Sequence, residues 1–342
     1  MADITINELD SLIKSVEKNL KGIVARGSDE KVAIERLSSG IPVLDKILGG
    51  GYVRGVNHIF SGEWSSGKTY IAMVAMKQVQ KEGGTAVLID IEKAYDPHWY
   101  TLVGVDIDKL IVIRPNYGEE ALDAVLECLK ANVDLIVIDS LAGLLPMDEM
   151  EGSMEDKQMG SQARLINKAL RKFIPANTKT VILAINQLRA SIGSMYHPGL
   201  TETMPGGKGQ TFFSHLILSI SRKGSLTKRV DRKGNETIEF ESSGSDKKRE
   251  GQKVGFIIHC FTSKSKISPP FQHCEIPLNF ISGQLDNLAA LIDVAIDEGI
   301  IEQKGAWYYY ADKTLQGKNG VYEYFLEHSD EADALKVRTL GA

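Results

Sequence analysis

The sequence predicts an α/β protein built on a mostly parallel central sheet, and three observations carry that expectation. Short β-rich runs alternate with helical stretches between about residues 56 and 262. Several runs are apolar on both faces, as strands covered by helices on either side must be. A glycine-rich GxxxxGKS/T pattern stands between the first run and a helical stretch. The runs are 56–61, 85–90, 110–114, 133–139, 178–185, 216–221 and 254–262.

Composition sets the outer bounds. The chain has 342 residues, 43% of them hydrophobic, which excludes global disorder. Lys and Arg number 40 against 45 Asp and Glu, a net charge of −5. At face value this argues against a nucleic-acid partner, because phosphates are held mostly by Lys and Arg. A summed charge hides where the charges sit, however. The three cysteines, Cys128, Cys260 and Cys274, lack CxxC spacing, so zinc sites and disulfide scaffolding are not expected. Neither a basic and apolar leader nor an eighteen-residue apolar run is present, which predicts a cytoplasmic protein with no membrane partner.

Taken in order, Thr5 and Glu8 form a capping box ahead of Leu9, Ile13, Val16, Leu20 and Ile23, the spacing of an amphipathic helix. Its apolar stripe needs a surface, on its own domain or on a neighbouring subunit. The break at Gly27-Ser28-Asp29 sets residues 1–30 apart from a core expected over 31–278. Within that core, 222–250 is rich in Lys and Arg and poor in core-forming residues, so a solvated hairpin or loop is expected, with a turn at 231–235. From 279 to 342 a short helix (Leu288, Leu291, Ile292, Ala295, Ile296), the aromatic run 307–310 and a charged helix predict a small second domain.

The chemistry concentrates at Gly62-Glu63-Trp64-Ser65-Ser66-Gly67-Lys68-Thr69, between a β-like run and the helical stretch 71–80. Glycines let the backbone wrap so that N–H groups face phosphate oxygens, with a helix N-terminus behind them. Lys68 should reach the β and γ phosphates and Thr69 should ligate Mg²⁺. The apolar run 133–139 delivers Asp139, a Walker B carboxylate, to the same sheet edge. Glu92, two residues past the run 85–90, is the candidate general base. Asn186-Gln187 reaches this edge too, where an amide could sense the γ phosphate and signal into the long segment 188–209 that follows. Trp99 and Tyr100 are candidates for an aromatic face against adenine.

These residues resemble the bacterial and phage RecA recombinases over nearly the whole chain. The resemblance is carried by 62–69, Ile89-Asp90-Ile91-Glu92-Lys93-Ala94-Tyr95-Asp96-Pro97, 102–108, 134–142, Met159-Gly160, Asn186-Gln187-Leu188-Arg189, Ile192-Gly193, Gly206-Gly207, Lys264-Ser265-Lys266-Ile267, Pro270-Phe271 and Gly305-Ala306-Trp307-Tyr308. It implies a RecA-type P-loop ATPase core with an N-terminal oligomerisation helix and a small C-terminal α/β domain. The implied activity is ATP-dependent pairing and strand exchange between single-stranded DNA and homologous double-stranded DNA in a helical homo-oligomeric filament. ATP and Mg²⁺ are the implied cofactors, and single-strand-binding and loader proteins are further partners.

Residue by residue, the resemblance makes Glu92 the activator of water and Gln187 the γ-phosphate sensor. Trp99 would stack on adenine near Asp96. Lys264 and Lys266 would act in trans across the subunit interface, and Phe212 would be the interface aromatic. DNA would lie against loops at about 150–159 and 188–209, with Arg164, Arg171, Arg189, Met195, Tyr196, Gly206 and Gly207 as contacts. Arg164 and Arg171, seven apart, share a helix face. Thr211 stands where the family commonly has Lys, 222–250 is longer and more basic than usual, and 337–342 carries no acidic tail. These departures point to a phage-encoded or divergent member with weaker autoinhibition of duplex binding. A ring helicase-like motor and a regulatory DNA-binding filament are the competing readings.

Overall fold

The computed structural model describes residues 6–20, 24–153, 160–190, 202–207, 209–230, 236–241 and 251–341. The chain divides into two compact units, residues 1–35 and 36–342. In the first, the helix Ile6–Asn19 carries Leu9, Ile13 and Val16 of the expected apolar positions, and Leu20 follows its end; Leu9 and Leu20 are exposed. Arg26 pairs with Asp10 at 2.5 Å, and its backbone N–H donates to Asp29 at 2.8 Å. Thr5, half of the expected capping box, and Ile23 lie outside the described residues.

In the second unit a ten-stranded sheet runs in the order Gln284–Leu285, His273–Asn279, Gln252–Ser265, Leu216–Val230, Asn57–Gly62, Val181–Gln187, Leu135–Asp139, Ala86–Asp90 and Ile111–Ile113, with Glu236–Glu241 paired to Leu216–Val230 off this path. The strands from Leu216–Val230 to Ile111–Ile113 pair in parallel. Gly62 lies opposite Gln187 and Asp90 opposite Asp139, so four chain segments deliver their ends to one carboxyl edge. Each face of the sheet carries its own apolar cluster. One includes Ile71, Met73 and Met76 of the helix Lys68–Lys81. The other includes Val125 of Gly118–Lys130 with Ile166 and Phe173 of Ser161–Ala176. Burial on both faces accounts for the apolar runs that revealed these strands.

Two segments differ from the sequence expectation, and a third settles between its two alternatives. The run 254–262 is a strand, but Gln252–Ser265 pairs antiparallel with both neighbours. The basic stretch beginning at 222 takes, where described, the hairpin form that the sequence offered beside a loop: Leu216 runs on to Val230 and pairs with Glu236–Glu241 in antiparallel register. In the second of these strands Ile238 and Phe240 alternate with Thr237, Glu239 and Glu241, a period-two signal amid dense charge. The expected turn at 231–235 lies outside the described residues. Finally, the segment 188–209 is ordered at its base, where Arg189–Ala190 pairs with Glu202–Thr203.

Beyond the helix Asn287–Asp297, the strands Glu302–Lys304, Trp307–Tyr310 and Lys313–Gln316 form a small antiparallel sheet, followed by the helices Gly317–Glu327 and Ser329–Leu340. The aromatic run alternates, with Tyr308 and Tyr310 buried and Trp307 and Tyr309 exposed. Among the described residues no helix is long and apolar enough to cross a membrane.

Candidate active site

The strand Asn57–Gly62 feeds the glycine-rich loop, and the helix Lys68–Lys81 leaves it. Two glycines are there for physical reasons. A Cβ on Gly62 would sit 2.0 Å from the Ile220 carbonyl oxygen. Gly67 caps the helix at φ 100°, a left-handed conformation, with its missing Cβ pointing at Ile258. Ser66 is buried, while Glu63, Trp64 and Ser65 are exposed. Lys68 is buried inside the curl, donating to the carbonyls of Gly62 at 3.0 Å and of Glu63, and to Ser66 Oγ at 3.3 Å. Burial pushes its ammonium below the usual lysine range, against the pull of the Asp139 and Glu92 carboxylates. A cation curled onto loop carbonyls at a helix N-terminus fits a polyphosphate, which offers better acceptors in the same place.

Thr69 Oγ1 donates to Asp139 Oδ2 at 2.8 Å. Burial raises the Asp139 carboxyl to about 6, although the Thr69 hydrogen bond works the other way. A hydroxyl and a carboxylate side by side are the hard oxygen donors that suit Mg²⁺. The N–H groups of Ile91 and Glu92 donate to the Asp139 carbonyl at 2.9 and 3.3 Å, which anchors the next loop to the Walker B strand.

That loop presents Glu92. Its Oε1 accepts from Gln187 Nε2 at 3.0 Å and from Ser140 Oγ. The structure therefore brings Glu92 and Gln187 together, and adds Ser140, which sequence reasoning missed. The signal was its place directly after Asp139 at the end of an apolar run. Asp90 is a second missed residue. Its buried carboxylate accepts from the backbone of Ala94 at 2.9 Å and Tyr95 at 3.3 Å, and from Arg114 Nε at 3.0 Å. The Arg114 guanidinium lies 5.8 Å from the centre of the Tyr95 ring. Asp90 and Arg114 thus fix the loop between Glu92 and Asp96 from inside.

Asp96 caps the helix Pro97–Val103 by accepting from His98 N at 3.0 Å. Trp99 is partly buried, its ring 6.2 Å from that of Tyr70. Tyr100 does not serve as the aromatic face offered by the sequence: it is 3% exposed and packs edge-on against Tyr95 at 4.8 Å. The period of a short helix puts adjacent residues on different faces, and here only Trp99 stays accessible.

Lys264 and Lys266 sit elsewhere in the same chain. Lys264 Nζ donates to the carbonyls of Thr211 and, at 2.8 Å, Ser214, and Lys266 Nζ donates to that of Phe212 at 3.1 Å. They cap the helix Gly209–Phe213, from which Phe212 projects 71% exposed. Burial, and then the neighbouring Lys266, lower the Lys264 ammonium.

Of the DNA-contact candidates, Arg164 and Arg171 are exposed on Ser161–Ala176, with Arg171 Nε donating to Asn167 O at 3.4 Å. Arg189 lies in the ribbon at the base of the second loop. Gly206 and Gly207 follow at φ 89° and 77°, packed against Ile166 and Ala163 of that helix. Met195 and Tyr196 lie outside the described residues, as do 154–159 of the first loop, which begins beside the helix Met147–Glu151.

A phosphate loop, a Walker B carboxylate and an anchored glutamate at one carboxyl edge define a P-loop nucleotide-binding protein. Residues 7–240 match the RecA N-terminal domain and residues 289–340 the RecA C-terminal domain. The chain is 38% identical over 340 residues to Protein RecA of Aquifex aeolicus (strain VF5), covering 96% of this chain and 91% of that protein. It is 40% identical over 337 residues to Protein RecA of Francisella tularensis subsp. novicida (strain U112), covering 96% and 87%. The chain belongs to the RecA family of recombinases, whose general function is strand exchange in a filament.

Proposed function

We propose that this chain is a DNA-dependent ATPase that couples ATP hydrolysis to pairing and exchange of strands on single-stranded DNA. The observation that carries the reading is the Glu92 carboxylate, held by Ser140 and Gln187 on the sheet edge that also carries Lys68, Thr69 and Asp139. Residues 62–69 bind the triphosphate, Lys68 leaving its loop carbonyls for the β and γ oxygens. Thr69 and Asp139 hold Mg²⁺, which when bound offsets phosphate charge. Glu92 orients and deprotonates water, and Gln187 reads the γ phosphate while gripping Glu92. Trp99 and Asp96 receive the adenine.

Lys264 and Lys266 act on the triphosphate of an adjoining subunit, and Phe212 belongs to that interface. Arg164, Arg171, Arg189, Met195, Tyr196, Gly206 and Gly207 face DNA, and residues 1–30 link subunits in the filament. Single-strand-binding and loader proteins are its further partners, and the cytoplasm its compartment. The RecA C-terminal match at 289–340 favours this over a ring motor, which needs no such domain. The test is ATP hydrolysis with and without single-stranded DNA. Stimulation is expected, and it should vanish in Glu92→Gln; hydrolysis that ignores DNA would overturn the reading.

A further inference from the structure

Asn186 and Gln187 are consecutive residues at the end of one strand and face opposite ways. Gln187 donates to Glu92, whereas Asn186 points into the base of the second loop and is fully buried. There its Nδ2 donates to Gln210 Oε1 at 2.7 Å and to the Pro205 carbonyl at 3.0 Å. Gln210, also fully buried, closes the triangle by donating from Nε2 to the same Pro205 carbonyl. Gly206 admits this arrangement, since at φ 89° a Cβ there would lie 2.4 Å from Gln210 Nε2.

Two neutral amides in an apolar interior are costly unless their hydrogen bonds are made. Here the cost is not fully offset: Asn186 Oδ1 has no partner among the described residues. A pair of leucines would fill the space without that loss, so packing alone does not explain the amides. What they provide is direction. They join three segments: the strand carrying Gln187, the Pro205-Gly206 turn that ends the second loop, and the helix Gly209–Phe213. The far end of that helix is gripped by Lys264 and Lys266. Because interiors are close-packed, a shift of the strand end at Gln187 has no slack to disappear into at this junction.

We propose that Gln210 is a positioning residue which, through Asn186, ties the nucleotide-sensing strand end to the base of the second loop and so transmits DNA binding to ATP hydrolysis. The proposal rests on the functional reading above. Gln210→Met keeps the buried volume and removes the tie. Its thermal midpoint and its DNA-free hydrolysis should stay close to those of the parent, the latter within about twofold, while stimulation by single-stranded DNA falls about tenfold, within the usual range for coupled sites. Asn186→Leu should also lower the ratio of stimulated to DNA-free rate, and the double variant should lower it no further than either single change.

Full stimulation in Gln210→Met overturns the proposal, as do additive losses in the double variant or equal loss of basal and stimulated rates. Gln210→Leu carries the same expectations should methionine not be accommodated. A stimulated parent with a stimulated Gln210→Met defeats this proposal alone. A parent that DNA does not stimulate defeats the functional reading and takes the proposal with it.

Discussion

Gln187 Nε2 donates to Glu92 Oε1 at 3.0 Å, joining the ends of two strands that are not neighbours in the sheet. Between them lies the Walker B strand Leu135–Asp139, whose following residue, Ser140, donates to the same oxygen. The proposed base is therefore held by donors from two other strand ends. Glu92→Gln should lower kcat for ATP hydrolysis by about 10²- to 10⁴-fold, the usual worth of a general base, and leave nucleotide affinity nearly unchanged. Single-turnover hydrolysis beside equilibrium nucleotide binding separates the two effects, and a parental kcat would remove Glu92 from the chemistry.

Ser140→Ala takes away one of the two side-chain donors to Glu92 and leaves the backbone anchors to the Asp139 carbonyl. A drop in kcat of about tenfold with little change in KM is expected, as for loss of one hydrogen bond to a charged group. A rise in KM at constant kcat would place Ser140 in substrate binding instead.

Asp139, raised by burial to about 6 from an ordinary 3.8, makes the nucleotide-free protein pH-sensitive. Between those values the folded chain binds a proton that the unfolded chain has released, so stability falls as pH rises through that window and stays lower above it. Asp139→Asn should raise stability at pH 8 by on the order of 3 kcal/mol, read as a higher thermal midpoint, and change it little at pH 3. Since Mg²⁺ needs the ionised carboxylate, Mg²⁺-dependent nucleotide binding should weaken as pH falls below about 6. Calorimetry across pH 3–8 and nucleotide titration across pH 5–8 check the two; a pH-independent effect of Asp139→Asn would contradict this account.

Asp90 is nearly inaccessible and Arg114 half exposed, at 3% and 50% for the two side chains. Arg114→Ala leaves the buried carboxylate with its backbone donors alone, and should cost about 1–2 kcal/mol after allowance for the exposed side of the pair. The loop it releases carries Asp96, so KM for ATP should rise as well. Unchanged melting and unchanged KM together would show that the loop holds itself.

Lys264 and Lys266 donate to carbonyls at the end of their own chain's helix Gly209–Phe213, whereas Lys68 is the lysine that donates within the phosphate loop. If they serve an adjoining subunit, Lys68→Ala and Lys264→Ala/Lys266→Ala should each be inactive alone, yet regain hydrolysis when mixed. About a quarter of random head-to-tail interfaces would then pair an intact loop with intact lysines. No recovery in mixed filaments would argue for a role within one chain.

How much of this was legible depended on the kind of signal. The phosphate loop, Asp139 and Glu92 could be read because spacing and strand polarity alone carry them to one edge. Ser140, Asp90 and Gln210 could not, because what matters is which group each touches across the sheet, and neighbours such as Glu92, Arg114 and Asn186 are 24 to 48 residues away. The strand Gln252–Ser265 was found but its direction was not, since apolar runs look alike in parallel and antiparallel pairs. The hairpin expected after Ser221 is present as the pairing of Leu216–Val230 with Glu236–Glu241, but the density of charge there left a loop equally open on sequence alone. Tyr100 failed as an adenine platform because helical phase, not residue type, decides which ring is exposed.

The central claim is that hydrolysis at the Glu92 edge serves exchange of DNA strands in a filament. Its most direct test incubates the protein with circular single-stranded DNA and a homologous linear duplex, with and without ATP, and follows joint molecules on a gel. The account predicts joint molecules only with ATP and only when the duplex is homologous. Joint molecules formed equally with a heterologous duplex, or none despite DNA-stimulated hydrolysis, would contradict it.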